Sequence, residues 1–489
     1  MPGPPKLTPM LRHYLEVKAQ YPDAILIYRM GDFFELFFED AVLAAPILEV
    51  TLTARQRGTA NEAPMCGVPH HALGQYLAKL LRAGLKVAIC DQVEDPSKAK
   101  GLVKREVVRV VTPGTITDPL LLEGKSNRFL AGVAWNETDG AGAFLDVTTG
   151  DFFVRQWASS EALIRDMNLF DAAEIVFEES SLTEEILRWA DQGQVSLTPR
   201  DFSQWFDTGR AGKVLEEHFG TATLRGFGIG DTKLVLKAAA AVLSYAKETQ
   251  HSDLAHVLAI SERVDTNSLV LDSTTLSNLE VFRNLRDKSE ANTLLSVIDR
   301  TASPSGGRLL KDWLREPSRS KSVLEARYDA VTVLVDDTIR RNSIRQQLES
   351  IGDIERLLSR AVFKSLNPRD AAALREGLAG VPELLGLIVN SEAELLSNLA
   401  STDPCTELYL HLQETLIDHP PIARQSGGFI TSGVNEELDR LHSLVTESKE
   451  HILALENREK ESTGIRNLKV RFNRVFGYYI EISRARQDA

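Results

Sequence analysis

RMGDFFELFFEDA, residues 29–41, gives the clearest local structural signal in this 489-residue chain. The apolar run AILIYRM (24–30) comes just before it and has the pattern of a buried strand. Gly31 and Asp32 then supply a turn, and Asp32 is a suitable helix N-cap. The pattern therefore predicts a strand, a turn and a helix that continues through Leu48, as in a small α/β module.

The four phenylalanines of this stretch have different expected roles. A ring at the start of an amphipathic helix normally belongs to the core, and Phe34, Phe37 and Phe38 fit that role. Phe33 directly follows the turn. It is therefore the ring that we expect to be available for another purpose.

The rest of the chain predicts a multidomain protein that is α/β in its first half and all-α after it. Strand-like runs and short helices continue to about residue 255, where the amphipathic pattern of residues 231–250 predicts a closing helix. Long helical patterns follow, and a charged helix at 435–463 leads into the strand-like run LKVRFNRVFGYYIEIS (468–483). The expected domains are 1–115, 125–255, 262–452 and 453–489.

Composition limits the class of protein. No apolar run approaches the roughly 20 residues of a membrane span, so we expect no membrane segment. Three cysteines without CxxC spacing favour neither a zinc site nor a disulfide framework, and they suit a reducing cytosol. The start of the chain lacks the apolar region of a secretory signal.

Charge is distributed unevenly along the chain. The net charge of −13 opposes nucleic-acid binding, but phosphate contacts need only local positive charge. Residues 98–110 contain five basic residues and one acid, and residues 466–489 contain six basic residues and two acids. Two basic zones that flank an acidic body suit a protein that holds DNA at separate points.

Motifs for catalysis are weak. The GKS at 124–126 would place Pro119 at the first glycine of a P-loop, where the backbone N–H is needed to bind phosphate. Asp146 and Asp151 lie beside a strand and leave open a metal-dependent nuclease, although such sites need three or four convergent carboxylates. We expect Asp146 to be a strand-end or turn acid.

Seven runs together resemble the MutS family of DNA mismatch sensors, and they cover nearly the whole chain. They are, in order, RMGDFFELFFEDA (29–41), APMCGVPHHALGQYLAKLLRAGLKVAICDQVEDP (63–96), KREVVRVVTPGT (104–115), LVLDSTTLSNLEV (269–281), TASPSGGRLLKDWL (301–314), GVNEELDRL (433–441) and RFNRVFGYYIEIS (471–483). The resemblance implies a mismatch-recognition domain, an RNase H-like connector, a long-helix core with levers and the start of a β-rich clamp.

The family's Phe-x-Glu reader corresponds to Phe33 and Glu35. The resemblance implies that Phe33 enters the minor groove and stacks on a mispaired base, while Glu35 hydrogen-bonds to that base. We expect further DNA contacts in three sets, of which the set of three arginines rests on the fit of guanidinium to phosphate and the other two rest on the resemblance. They are Met30, Asp32, Met65 and Pro96 near the kinked groove; Arg55, Arg105 and Arg109 on phosphates; and Arg466, Lys469, Arg471 and Arg474 in the clamp.

The complete family protein is a homodimer in the bacterial cytoplasm, associated with the nucleoid. It has a P-loop ATPase domain that uses ATP and Mg²⁺, and it recruits MutL. We find no such domain before Ala489, so we expect that the chain is cut and does not hydrolyse ATP. Two alternatives stay open, namely a paralogue that binds branched DNA and the metal-dependent nuclease.

Overall fold

In a computed structural model, the chain folds into two compact units. One comprises Met1–Leu366 and Glu376–Pro404, and the other comprises Asn367–Arg375 and Cys405–Ala489. The structure describes residues 8–58, 62–94, 103–136, 138–178, 182, 184–193, 195–201, 208–230, 232–264, 268–465, 467–473 and 477–482.

The first domain is a six-stranded sheet with helices on both faces. Its strands follow the order β3-β4-β2-β1-β5-β6, in which β1 and β5 are parallel and the other neighbours antiparallel. The elements are α1 Pro9–Gln20, β1 Ala24–Met30, β2 Phe33–Phe37, α2 Phe38–Leu48, β3 Thr53–Arg55, β4 Ala63–Pro69, α3 Leu73–Arg82, β5 Lys86–Gln92 and β6 Arg105–Val111.

Alternation along the strands divides this domain into two cores. Leu26 and Tyr28 face α1, where they pack with Leu11 and Tyr14. The intervening residues of β1 face α2 and α3 instead. Because successive strand residues point to opposite faces, a sheet covered on both sides gives a nearly continuous apolar run such as AILIYRM.

The helix predicted to begin at Asp32 starts later than expected. Residues 33–37 form β2, whose backbone pairs with β1 on one side and β4 on the other, and α2 begins only at Phe38. Pairing on both sides satisfies the backbone groups of a five-residue strand, which local helix signals do not take into account. Asp32 therefore belongs to a hairpin turn and is not an N-cap.

The second domain has another six-stranded sheet, in the order β11-β10-β7-β8-β9-β12. Strands β7, β8 and β9 are antiparallel; β10 is parallel to β7, β11 to β10 and β12 to β9. The elements are β7 Leu130–Trp135, β8 Gly140–Leu145, β9 Phe152–Trp157, α4 Ser160–Leu169, β10 Glu174–Phe177, α5 Glu184–Gly193, β11 Ser196–Pro199, α6 Thr208–Phe219, α7 Lys233–Gln250 and β12 Ser261–Glu262. Helix α7 is the closing helix predicted for residues 231–250.

A buried carboxylate joins the first domain to the second. Glu174 is completely buried and accepts hydrogen bonds from the Thr112 hydroxyl and from the Gly114 N–H (3.1 Å), which both follow β6. It also accepts from the Thr198 and Tyr245 hydroxyls at 2.6 and 2.7 Å. A buried carboxyl group is tolerated when its hydrogen bonds are satisfied. Because two of these bonds come from residues that follow β6, Glu174 attaches the end of β6 to the second sheet.

The remainder of the described chain is mostly helical, as predicted. Its helices are α8 Ser273–Asn278, α9 Leu294–Ile298, α10 Pro304–Arg315, α11 Lys321–Asp336, α12 Thr338–Ile351, α13 Ile354–Val362, α14 Pro368–Ile388, α15 Glu394–Leu399, α16 Thr406–Thr415 and α17 Glu436–Thr463. None of the helices in the described ranges has the length and hydropathy to cross a bilayer.

The end of the second unit is a long helix followed by a hairpin. The helix α17 is continuous through residue 452, where one domain boundary was predicted. The strands β13 (Lys469–Asn473) and β14 (Gly477–Glu481) are antiparallel, and Arg471 pairs with Glu481 at 2.7 Å. Helix and strands both agree with the sequence pattern of residues 435–483.

Candidate nucleic-acid interface

A tight hairpin places Phe33 at the edge of the first domain's core. Met30 pairs with Phe33, so only Gly31 and Asp32 form the β1–β2 turn. Gly31 has φ +61°, a conformation that glycine adopts at little cost and that two-residue hairpin turns require. The Phe33 side chain is 49% exposed, so it is not packed inside its own domain.

The neighbouring rings have the core role that was predicted for them. Phe34 is 1% exposed and packs in the core beneath α2 and α3. Phe37 is fully buried on the α1 face, with its ring centroid 5.1 Å from that of Tyr14. Alternation places Phe33, Glu35 and Phe37 on one face of β2, and only Phe33 of the three is exposed.

Glu35 lies two residues from Phe33, on the same face, and is partly buried. Its Oε2 is 3.4 Å from Nη1 of Arg55, which is on β3. Burial raises the pKa of the Glu35 carboxyl, and the positive charge of Arg55 opposes that rise. The Glu35 carboxyl is therefore protonated more readily than a carboxyl group in water.

Gly67 is a residue of this site that the sequence reasoning missed. It pairs with Glu35 across β2 and β4, and a Cβ there would lie 3.3 Å from the Phe34 carbonyl oxygen and 3.5 Å from Cγ of Glu35. Glycine thus keeps the space beside the carboxylate open. A glycine inside the strand pattern APMCGVP is the signal that could have identified this close approach.

The other residues predicted near the kinked groove are only partly grouped with Phe33. Met30 is its partner in the hairpin, and Asp32 is exposed in the turn. Met65 pairs with Phe37 and packs against the core beneath α1. Pro96 lies outside the described residues.

Arg105 and Arg109 are engaged within the first domain. Arg105 is 7% exposed, and its guanidinium donates to the carbonyls of Arg29 and Val103 at 2.8 Å each. Burial lowers the pKa of Arg109, whose Nη1 donates to the Thr117 hydroxyl at 3.3 Å. These contacts give Arg105 a structural role and leave it little surface for a phosphate, whereas Arg109 is only half-buried.

Of the four predicted clamp residues, two can be placed. Lys469 and Arg471 are both on β13, and the Arg471 side chain is 54% exposed despite its pair with Glu481. Arg466 and Arg474 lie outside the described residues.

The candidate nuclease carboxylates have other partners in the described part of the chain. Asp146 is fully buried at the end of β8 and accepts from the backbone N–H and hydroxyl of Thr148, which confirms the predicted turn role. Asp151 pairs with Arg263 at 3.1 Å. Within the described ranges, no three His, Cys, Asp or Glu side chains are grouped to hold a metal ion.

Comparison with known proteins gives one consistent result. Models of MutS domain I, domain II and domain III match residues 8–119, 127–258 and 274–461. Proteins named DNA mismatch repair protein MutS are 40% identical in Lachnoclostridium phytofermentans, 42% in Desulfatibacillum aliphaticivorans and 40% in Myxococcus xanthus. These matches cover 98%, 98% and 99% of this chain and 52%, 54% and 54% of the relatives, so the chain spans about half of their length. The chain belongs to the MutS family.

Proposed function

We propose that this chain binds duplex DNA at mismatched or unpaired bases, as part of DNA mismatch repair. The observation that supports this most is a half-exposed aromatic ring, Phe33, held by a two-residue turn on the same strand face as the partly buried Glu35. The names of the relatives point to the same role.

The ring selects flawed base pairs through the energy of deformation. Inserting an aromatic wedge into a base step costs a few kcal/mol, and stacking on the exposed base returns about 1–3 kcal/mol. A mismatch has already lost pairing and stiffness, so the same kink costs less there than in normal duplex. Phe33 can therefore detect a flaw without reading the sequence around it.

Glu35 contributes to discrimination more than to affinity. An ionised carboxylate near the phosphates weakens contact with any duplex, whereas a protonated one can donate to a base nitrogen or oxygen. Burial raises the pKa of Glu35, and the phosphates of a bound duplex would raise it further. A base that lacks its normal partner offers a free acceptor. The carboxyl group thus favours a mispaired base over a paired one.

Basic residues would supply affinity that is independent of sequence. Arg55 is exposed enough, at 39%, to exchange Glu35 for a phosphate, and Lys469 and Arg471 provide the corresponding contacts in the other unit. Each phosphate neutralised makes binding more dependent on salt. Arg105 does not belong to this set because its guanidinium is buried and donates to two carbonyls, whereas the half-buried Arg109 stays a proposed phosphate contact.

Further properties follow from the family and are proposed for the complete protein. They are a homodimer in the bacterial cytoplasm, an ATPase domain that uses ATP and Mg²⁺, and recruitment of MutL. The RNase H-like nature of the second domain is also a proposal. Its support is a sheet in which three antiparallel strands are extended at one edge by the parallel strands β10 and β11.

The proposal is tested by titrating the chain with labelled duplexes that contain a G·T mismatch, a one-base loop or no flaw. The flawed duplexes should bind more tightly, and Glu35→Ala should narrow the difference by strengthening binding to the matched duplex. Glu39→Ala, which removes an exposed carboxylate in the same stretch, is the matched control and should change nothing. Equal binding of all three duplexes would refute the proposal, and tighter binding of a four-way junction would favour the branched-DNA alternative.

A further inference from the structure

We infer that a cavity between the second domain and the helices that follow it binds a nucleoside monophosphate. The cavity has a volume of about 620 Å³ and lies within the first unit. Small-molecule sites typically measure about 300–1,000 Å³, so a ligand of this size fits. The inference is independent of the mismatch-binding face.

The cavity has rigid walls because the segment 124–126 is tied to the helices. Lys311 of α10 donates to the Ser126 hydroxyl at 2.6 Å, and Arg308 donates to the Gly124 carbonyl at 2.8 Å. Arg356 of α13 donates to the Ser126 carbonyl at 2.6 Å. The GKS stretch (124–126), which fails as a P-loop, is thus held in place beside the cavity by these hydrogen bonds.

The cavity lining includes apolar side chains and an aromatic ring. Leu121, Leu122, Leu169 and Leu276 contribute to it together with Phe282, whose ring lies 5.6 Å from the guanidinium carbon of Arg315. A flat ring beside leucines suits a nucleobase, because base–aromatic stacking tolerates any base.

Two cations at the opening are available to an anion. Arg283 and Lys288 line the cavity on one loop and are exposed, and neither side chain has an acidic partner among the described residues. The deeper cations differ, since Lys311 pairs with Glu290 at 3.3 Å and Arg315 pairs with Asp312 at 3.1 Å.

Two of the three carboxylates that line the cavity have hydrogen-bond partners. Glu290 has Lys311, and Glu123 accepts from the Ser126 hydroxyl at 3.1 Å. Burial lowers the pKa of Arg128, and the charge of Asp171 opposes that shift. Arg283 and Lys288 are the exposed cations of the lining, and their two positive charges match the two negative charges of a phosphate monoester.

Isothermal titration calorimetry of the chain with AMP, adenosine and inorganic phosphate tests the inference. AMP should bind saturably, and adenosine and phosphate should each bind more weakly because each occupies only half of the site. The double variant Arg283→Glu, Lys288→Glu should weaken AMP binding at least about tenfold, as expected when charged hydrogen bonds are lost. Arg286→Glu, on the same loop but outside the cavity lining, is the matched control and should bind AMP like the wild type.

Two further variants keep the test decisive, one if the double glutamate variant does not fold and one for the role of the aromatic ring. If the double glutamate variant loses its fold by circular dichroism, the pair Arg283→Gln, Lys288→Gln replaces it with the same expectation. Phe282→Leu should weaken AMP binding and leave inorganic phosphate unaffected. Absence of saturable AMP binding in the wild type, or equal affinity in the cation variants, would overturn the inference.

Discussion

Adjacent phenylalanines provide the sharpest test of the reading mechanism, because Phe33→Ala and Phe34→Ala remove the same ring from opposite faces of one strand. Phe34 is 1% exposed, so its loss leaves a cavity and should lower the free energy of unfolding of the first domain by about 3–5 kcal/mol. Phe33 is 49% exposed, and its loss should cost about 1 kcal/mol or less.

DNA binding should show the reverse order. Loss of the stacking ring removes about 1–3 kcal/mol, which corresponds to a Kd for mismatched duplex that rises about 5- to 150-fold. Binding of matched duplex by Phe33→Ala should change little, because in matched duplex the energy gained by stacking does not exceed the cost of inserting the ring. Phe34→Ala, where it is still folded, should keep the preference for mismatched DNA.

Both quantities can be measured on the same preparations. Urea unfolding followed by circular dichroism gives stability, and fluorescence anisotropy with mismatched and matched duplexes at one salt concentration gives the two affinities. A Phe33→Ala variant that is as unstable as Phe34→Ala, yet binds mismatched DNA like the wild type, would show that the ring is a core residue and that our reasoning is wrong.

Two other variants test charges. Arg55→Ala removes the positive charge that opposes the effect of burial on Glu35, so the pKa of Glu35 should rise further and mismatch discrimination should persist to higher pH. Arg57, which is exposed in the turn after β3, provides the control variant Arg57→Ala. An unchanged pH profile of the ratio of mismatched to matched affinity in Arg55→Ala would contradict this prediction. Burial raises the pKa of Asp151 to about 6, above its usual value, so its contribution to stability is fully present at low pH and is lost as pH rises through about 6. Asp151→Asn should therefore flatten the pH dependence of the unfolding free energy below neutrality, and an unaltered slope in urea titrations would argue against it.

Sequence patterns located the strands and helices well where burial is one-sided or continuous. The strand 24–30, the helix 231–250 and the helix 435–463 all lie where their periodicity placed them. The start of α2 was misplaced because FFELFF has the apolar content of a helix, while its pairing with β4 comes from residues about thirty positions away. Local rules do not include such long-range pairing.

For the candidate site, too, local features could be predicted from the sequence and long-range contacts could not. The availability of Phe33 could be predicted, since its position after the turn is local and the resemblance to the family is specific. The contact between Glu35 and Arg55 spans 20 residues, and the occupation of Arg105 by the carbonyl of Arg29 spans 76. Whether a basic side chain is free to meet DNA depends on such contacts, and composition alone does not reveal them.

The buried carboxylate of Glu174 has a mechanical consequence. Its four hydrogen bonds attach the chain just after β6 to β11 and α7, so the first residues of the connection between the two sheets are fixed. If Phe33 contacts DNA as proposed, a duplex that resists kinking would exert a force on the first domain, and this fixed connection would transmit that force to the second sheet.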